Sequence, residues 1–137
     1  MCDSKSIDNV KLLSFSEIKD ERGTLVVIEG RKTIPFDIKR MFYMYGTKAD
    51  AIRGKHANKK SNFIIVSLKG ECDIVVIDQK NNRKTIHLSN PNQGVYIPAM
   101  IWKEMKNYSE DCVMMVLSDA HYDPDEYIKD FECFTNP

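Results

Sequence analysis

Asn62-Phe63-Ile64-Ile65-Val66-Ser67-Leu68-Lys69-Gly70-Glu71-Cys72-Asp73-Ile74-Val75-Val76-Ile77 is two apolar runs with a break between them. Val, Ile and Phe fill the runs; their branched or ring side chains suit a pleated, half-buried surface, and Lys69-Gly70 supplies the turn. Short apolar runs bounded by turn residues predict strands. Similar runs occur at 24–29, 40–45, 84–88, 94–97 and 112–117, divided by Asp20-Glu21-Arg22-Gly23, by 79–82 and by Ser89-Asn90-Pro91-Asn92. Seven or more strands so spaced predict an all-β sandwich or barrel.

The ends read differently. Residues 14–19 predict one turn of helix, and Asp123-Pro124-Asp125-Glu126 reads as a helix start, with aspartate ahead of an N1 proline and acidic residues in the first turn. A short terminal helix then packs Tyr127, Ile128 and Phe131 on the sheet. Residues 1–9 are expected to be loose and residues 10–137 to form a single domain, since 137 residues suit one core.

Composition narrows the function classes. Hydrophobic residues make up 42% and charged residues 29%, with a net charge of zero, so a broad nucleic-acid surface is disfavoured while a local cluster of cations can still hold one small anion. No apolar stretch is long enough for a membrane span. The four cysteines, Cys2, Cys72, Cys112 and Cys133, form neither a CxxC pair nor a zinc spacing, and no secretory signal precedes them. Reduced thiols in the cytoplasm are expected, with Cys72 and Cys112 buried as small hydrophobes.

Two segments bear on chemistry: Arg53-Gly54-Lys55-His56-Ala57-Asn58, and Gly94-Val95-Tyr96-Ile97-Pro98 followed by Lys103 and Asn107. They match the frame of the two cupin motifs, in which metal ligands come from two histidines at i and i+2, a residue on the next strand and a later histidine. Residues i and i+2 of a strand share a face, here the barrel interior. In this chain the four positions hold His56, Asn58, Phe63 and Lys103. One imidazole, one amide, one hydrocarbon and one cation make no site for zinc or iron, so the frame predicts a jelly-roll barrel with an organic pocket and no metal.

A lone histidine in a small barrel is more often structural than catalytic. His56 differs in its company: Arg53, Lys55, Lys59 and Lys60 surround it in sequence, and Arg22 and Arg40 occupy strand positions that can face inward. Unpaired cations in a barrel need an anion. His87 and His121 have no such setting and are read as structural or surface residues.

These residues resemble the sugar-nucleotide 3,4-ketoisomerases that act on dTDP-4-keto-6-deoxy-D-glucose. The resemblance covers nearly the whole chain. It rests on Arg22-Gly23, Ile34-Pro35-Phe36-Asp37-Ile38-Lys39-Arg40, 53–60, 94–98, Trp102-Lys103-Glu104-Met105, Val116-Leu117-Ser118, Tyr122-Asp123 and Tyr127-Ile128. It implies a homodimeric cupin, without metal or cofactor, that moves a ketone from C4 to C3 through an enediolate. His56 is then the base, with Lys103 and Arg22 stabilising the enediolate. Arg40 and Arg53 are assigned to the diphosphate or to ordering the site, and Tyr43, Tyr45, Tyr96 and Trp102 are candidates to stack on the thymine. Asn58, Phe42 and Phe63 stand at substrate-facing positions where relatives carry histidine, tyrosine and glutamine. That leaves two alternatives: a dTDP-sugar-binding cupin without catalysis, or a 3- or 5-epimerase on the same barrel.

Overall fold

The break at Lys69-Gly70 is a corner between two sheets. In the computed structural model, which describes residues 5–137, β6 (Phe63–Lys69) and β7 (Cys72–Ile77) do not pair with each other. Gly70 makes the corner with φ of 70°, and a Cβ there would stand 2.3 Å from the Ser109 hydroxyl and 2.8 Å from the Cys112 Cα, so only glycine fits.

The remaining elements follow in order: β1 (Lys11–Ser14), β2 (Glu17–Asp20), β3 (Gly23–Val26), β4 (Arg40–Met44), β5 (Arg53–Asn58), then β6 and β7, β8 (Arg83–Leu88), β9 (Gln93–Ile97), β10 (Trp102–Lys106), β11 (Val113–Ser118), β12 (Tyr127–Ile128) and α1 (Phe131–Thr135). One sheet has the order β1-β9-β6-β11-β4, the other β12-β5-β10-β7-β8, and β2-β3 stands apart as a hairpin. All of these ladders are antiparallel. This is the all-β cupin jelly roll expected from the motif frame.

The central strands are apolar on both faces because both faces are covered. Phe63 and Ile65 of β6 meet Cys72, Ile74 and Val76 of β7 between the sheets. Ile64 and Val66 point the other way, beneath Phe15, Ile34 and Phe36, while Val75 and Ile77 lie beneath Trp102 and Phe134. Each fully buried isoleucine contributes about 1.5–3 kcal/mol over an exposed one. Cys72 and Cys112 are buried and free, as expected; Cys133 is free and exposed, and Cys2 lies outside the described residues. Among the described residues no helix is long and apolar enough to cross a membrane.

Both ends depart from the sequence reading. Residues 14–19 form no helical turn: they close β1 and run into β2. The helix start at Asp123 makes only a 3-10 turn, Pro124–Glu126, and Tyr127 and Ile128 then pair with Asn58 and Ala57 as a short strand. The helix comes later, capped by Asp130, and it is Phe134 that is fully buried against Trp102. Of the loose start expected through residue 9, residues 1–4 lie outside the described residues. Beyond them Ser6 caps a 3-10 turn, Ile7–Asn9, and the Ile7 N–H donates to Asp78.

Candidate functional site

The strand β5 carries a bulge that decides what enters the barrel. Its pairing with β10 matches His56 to Lys103 but Gly54 to Glu104, so Lys55 is an extra residue. Gly54 and Lys55 have φ of 87° and 52°. A Cβ on Gly54 would lie 2.9 Å from the Lys103 carbonyl oxygen. Without the bulge, Arg53 and His56, three apart, would point to opposite faces; with it, both face inward. They line a cavity of about 180 Å³ together with Phe42, Phe63, Lys103 and Tyr127.

His56 is held in one tautomer. Its Nδ1 lies 2.8 Å from the Gly54 carbonyl oxygen, which only accepts, so Nδ1 carries the proton and Nε2 has a free lone pair. The Tyr127 ring packs on the imidazole with centroids 4.7 Å apart. Burial and the charge of Lys103 lower the His56 pKa to about 4, against the opposing effect of the Gly54 carbonyl, so the ring is a neutral base at pH 7.

Lys103 is buried at 4% exposure, and burial is the main cause that lowers its pKa to about 7. Glu126 opposes that shift and Arg40 adds to it. The Lys103 ammonium donates to Asn58 Oδ1 at 2.8 Å and lies 4.4 Å from the centroid of the Phe63 ring. Asn58 turns its Nδ2 to Glu126 Oε1, also at 2.8 Å. Glu126 further accepts from the Ser61 N–H at 3.0 Å and the Ser61 hydroxyl at 2.7 Å.

The four former ligand corners thus converge, but not as four lining groups. His56, Phe63 and Lys103 face the cavity, whereas Asn58, 1% exposed, sits behind the lysine and does not line it. Arg40 does not line the cavity but stands next to its wall residue Phe42, its guanidinium 5.4 Å from the centroid of that ring and 5.8 Å from that of Tyr122, with a buried Nε that has no hydrogen-bond partner among the described residues. Among the described residues neither Arg40 nor Arg53 is in an ion pair. Arg22 is elsewhere: it sits at the turn of the β2-β3 hairpin, pairs with Asp20, and its side chain is 86% exposed. None of the four aromatic candidates lines the cavity. Tyr43 and Tyr45 stack on each other in solvent, Trp102 packs on Phe131 and Phe134, and Tyr96 borders an open groove with Lys11 and Arg31.

The sequence reading missed Tyr127 and Glu126. The sequence pattern puts Tyr127 on a helix facing the sheet and Glu126 at a helix start. Both belong to the site because β12 pairs with β5. No local pattern singles out Glu126, which follows Asp123 and Asp125 in an acidic turn.

A cupin barrel with one imidazole base, one buried amine and two unpaired guanidinium groups around a small cavity defines a class: a pocket for an anionic organic ligand. The chain belongs to the WxcM-like, C-terminal family (FdtA), whose profile matches residues 8–137. It is 44% identical over 124 residues to the TDP-4-oxo-6-deoxy-alpha-D-glucose-3,4-oxoisomerase of Aneurinibacillus thermoaerophilus, covering 90% of this chain and 88% of that one. The TDP-fucose-3,4-ketoisomerase of Campylobacter jejuni superposes with a TM-score of 0.89 at 42% identity, covering 93% and 94%. A histidine-to-asparagine mutant of the Thermoanaerobacterium thermosaccharolyticum 3,4-ketoisomerase, in complex with TDP-4-keto-6-deoxyglucose, superposes with a TM-score of 0.91 at 36% identity, covering 96% and 94%.

Proposed function

We propose that this chain is a sugar-nucleotide 3,4-ketoisomerase that converts dTDP-4-keto-6-deoxy-D-glucose to a dTDP-3-keto-6-deoxyhexose without a metal. The observation that carries the reading is the pairing of His56, with its free Nε2, and Lys103 on adjacent strands at one cavity wall.

Nε2 takes the C3 proton, made acidic by the C4 ketone, and the electron pair moves to O4 to give an enediolate. The Lys103 ammonium stabilises the charge on O4 and, with a pKa of about 7, gives a proton to O4 and takes one from O3. The His56 imidazolium gives up its proton to C4 as the carbonyl re-forms at C3, which restores the neutral ring, so one proton leaves C3, one arrives at C4 and no electron acceptor is needed. The cavity of about 180 Å³ is below the size of ordinary nucleotide sites, so the sugar enters and the nucleotide lies outside. Arg40 and Arg53 are the cations placed to meet the diphosphate. Phe42 and Phe63 give the sugar apolar walls.

The enzyme is a homodimer in this reading. Ile18 and Leu25 of the hairpin are 58% and 57% exposed, and Met41, Tyr43 and Tyr45 are exposed at β4, an edge strand. A second copy covers these residues and brings Arg22 to a pocket. We place the protein in the cytoplasm, where free thiols such as Cys133 remain reduced.

Incubation with dTDP-4-keto-6-deoxy-D-glucose in deuterated water, followed by NMR, tests the reaction. Loss of the C3 proton with deuterium arriving at C4 is expected. Label at C3 or C5 with the ketone still at C4 would make the protein an epimerase, and tight dTDP binding without exchange would make it a binding protein.

A further inference from the structure

Three side chains form a buried line that ends at the pocket: Glu126, Asn58 and Lys103 are 3%, 1% and 4% exposed. Their chemistry fixes the order of every contact. An ammonium only donates and a carboxylate only accepts, so an amide between them must turn its carbonyl to Lys103 and its NH2 to Glu126. Glu126 cannot swing away, because Ser61 holds both of its oxygens and its own carbonyl accepts from the Lys59 N–H at 2.9 Å. No ion pair joins Glu126 to Lys103 directly; the amide stands between the two charges and passes the influence of one to the other.

We propose that Glu126 is a positioning residue of this site, which through the Asn58 amide holds the Lys103 amine against the pocket wall beside His56. The proposal rests on the ketoisomerase reading for what Lys103 does, but not for where it is held. It also gives Asn58 a role other than substrate contact. Asparagine matches an ammonium on one side and a carboxylate on the other.

Lys103 is faced by His56 and Arg53 from β5, by Arg40 from β4, and by Glu126 from the turn before β12. Arg40 disfavours the ammonium, and among the described residues Glu126 is the carboxylate that supports it. Removal of the Glu126 charge therefore moves the titration of Lys103 to lower pH. In turnover this brings forward the alkaline fall in kcat, where Lys103 loses the proton it must supply.

Glu126→Gln is the test, because glutamine keeps the shape, can accept from Asn58 and the Ser61 N–H, and can donate to the Ser61 hydroxyl. Two measurements are made: kcat against pH, and the titration of Lys103 in protein labelled with 13C at lysine Cε. Expected are a loss in kcat on the order of tenfold, part of the ~10²–10⁴-fold that acid–base catalysis supplies, and a lower titration midpoint for Lys103. Glu126→Asp, which keeps the charge, should restore much of the midpoint. An unchanged midpoint in folded Glu126→Gln overturns the proposal. Should glutamine prevent folding, Ser61→Ala, which loosens the carboxylate, must shift the same resonance, and an unmoved signal there also overturns it. If the wild-type protein isomerises nothing, the reading of its function fails, while the NMR titration still decides whether Glu126 governs Lys103.

Discussion

His56 presents two distinct nitrogens. The Gly54 carbonyl fixes the proton on Nδ1, and the pocket receives the lone pair of Nε2. His56→Asn keeps the size and a donor but no titratable base, so kcat should fall by about 10²–10⁴-fold with little change in Tm, as measured by the exchange assay and thermal unfolding. The variant should also differ in acid. In the folded protein the His56 pKa is about 4, below the ordinary value of 6.5, so between these values the unfolded chain binds the extra proton. Wild type therefore loses stability from this group as pH falls from 6.5 towards 4, and His56→Asn should lose less over that window in urea titrations. Burial and the Lys103 charge act in the same direction and together carry the His56 pKa below its ordinary value. His56, Phe63 and Lys103 were legible as a group because the cupin frame specifies same-face positions on successive strands. Glu126 was not, since its partners Asn58 and Ser61 are 68 and 65 residues away and no short pattern reports that distance.

At the scale of elements, the site depends on an inserted residue. The bulge at Gly54-Lys55 turns both Arg53 and His56 into the barrel, and it passes close enough to β10 that a side chain at 54 has no room. Gly54→Ala combines a left-handed backbone with a 2.9 Å approach to a carbonyl oxygen, and should cost about 2 kcal/mol or more in urea unfolding. In whatever fraction still folds, relief of the clash displaces His56 from Lys103, so turnover should fall even where dTDP binding is kept. The long strands were readable because apolar runs between turn residues mark them whatever their partners. The bulge was not, for it shows in sequence only as one more glycine. Of the hairpin only β2 was not legible: its one apolar residue, Ile18, lies between Glu17 and Lys19 and stays 58% exposed, which gives a weak strand signal, whereas the turn at 20–23 and the apolar run from Thr24 mark the second strand.

That unsatisfied hairpin leads to the whole molecule. A two-stranded ribbon is marginal alone in water, and this one presents Ile18 and Leu25 to solvent while β4 leaves a sheet edge open with Met41, Tyr43 and Tyr45 beside it. Light scattering at micromolar concentration should give twice the 15.8 kDa of one chain, and a monomer would refute the pairing. Ile18→Glu with Leu25→Glu should separate the chains, because two carboxylates cannot be buried unpaired. The same geometry bears on catalysis, since Arg22 sits on the hairpin with 86% of its side chain exposed, away from the cavity of its own chain. If a second copy brings Arg22 to that cavity, each active site draws on two chains, and complementation follows. Arg22→Ala and His56→Asn homodimers should both be nearly inactive. A mixed dimer, formed by unfolding and refolding the two variants together, holds one pocket with an intact His56 and an intact Arg22 from the other chain, and should recover measurable isomerisation. Mixed dimers that stay as inactive as their parents would mean that Arg22 serves only its own chain or none.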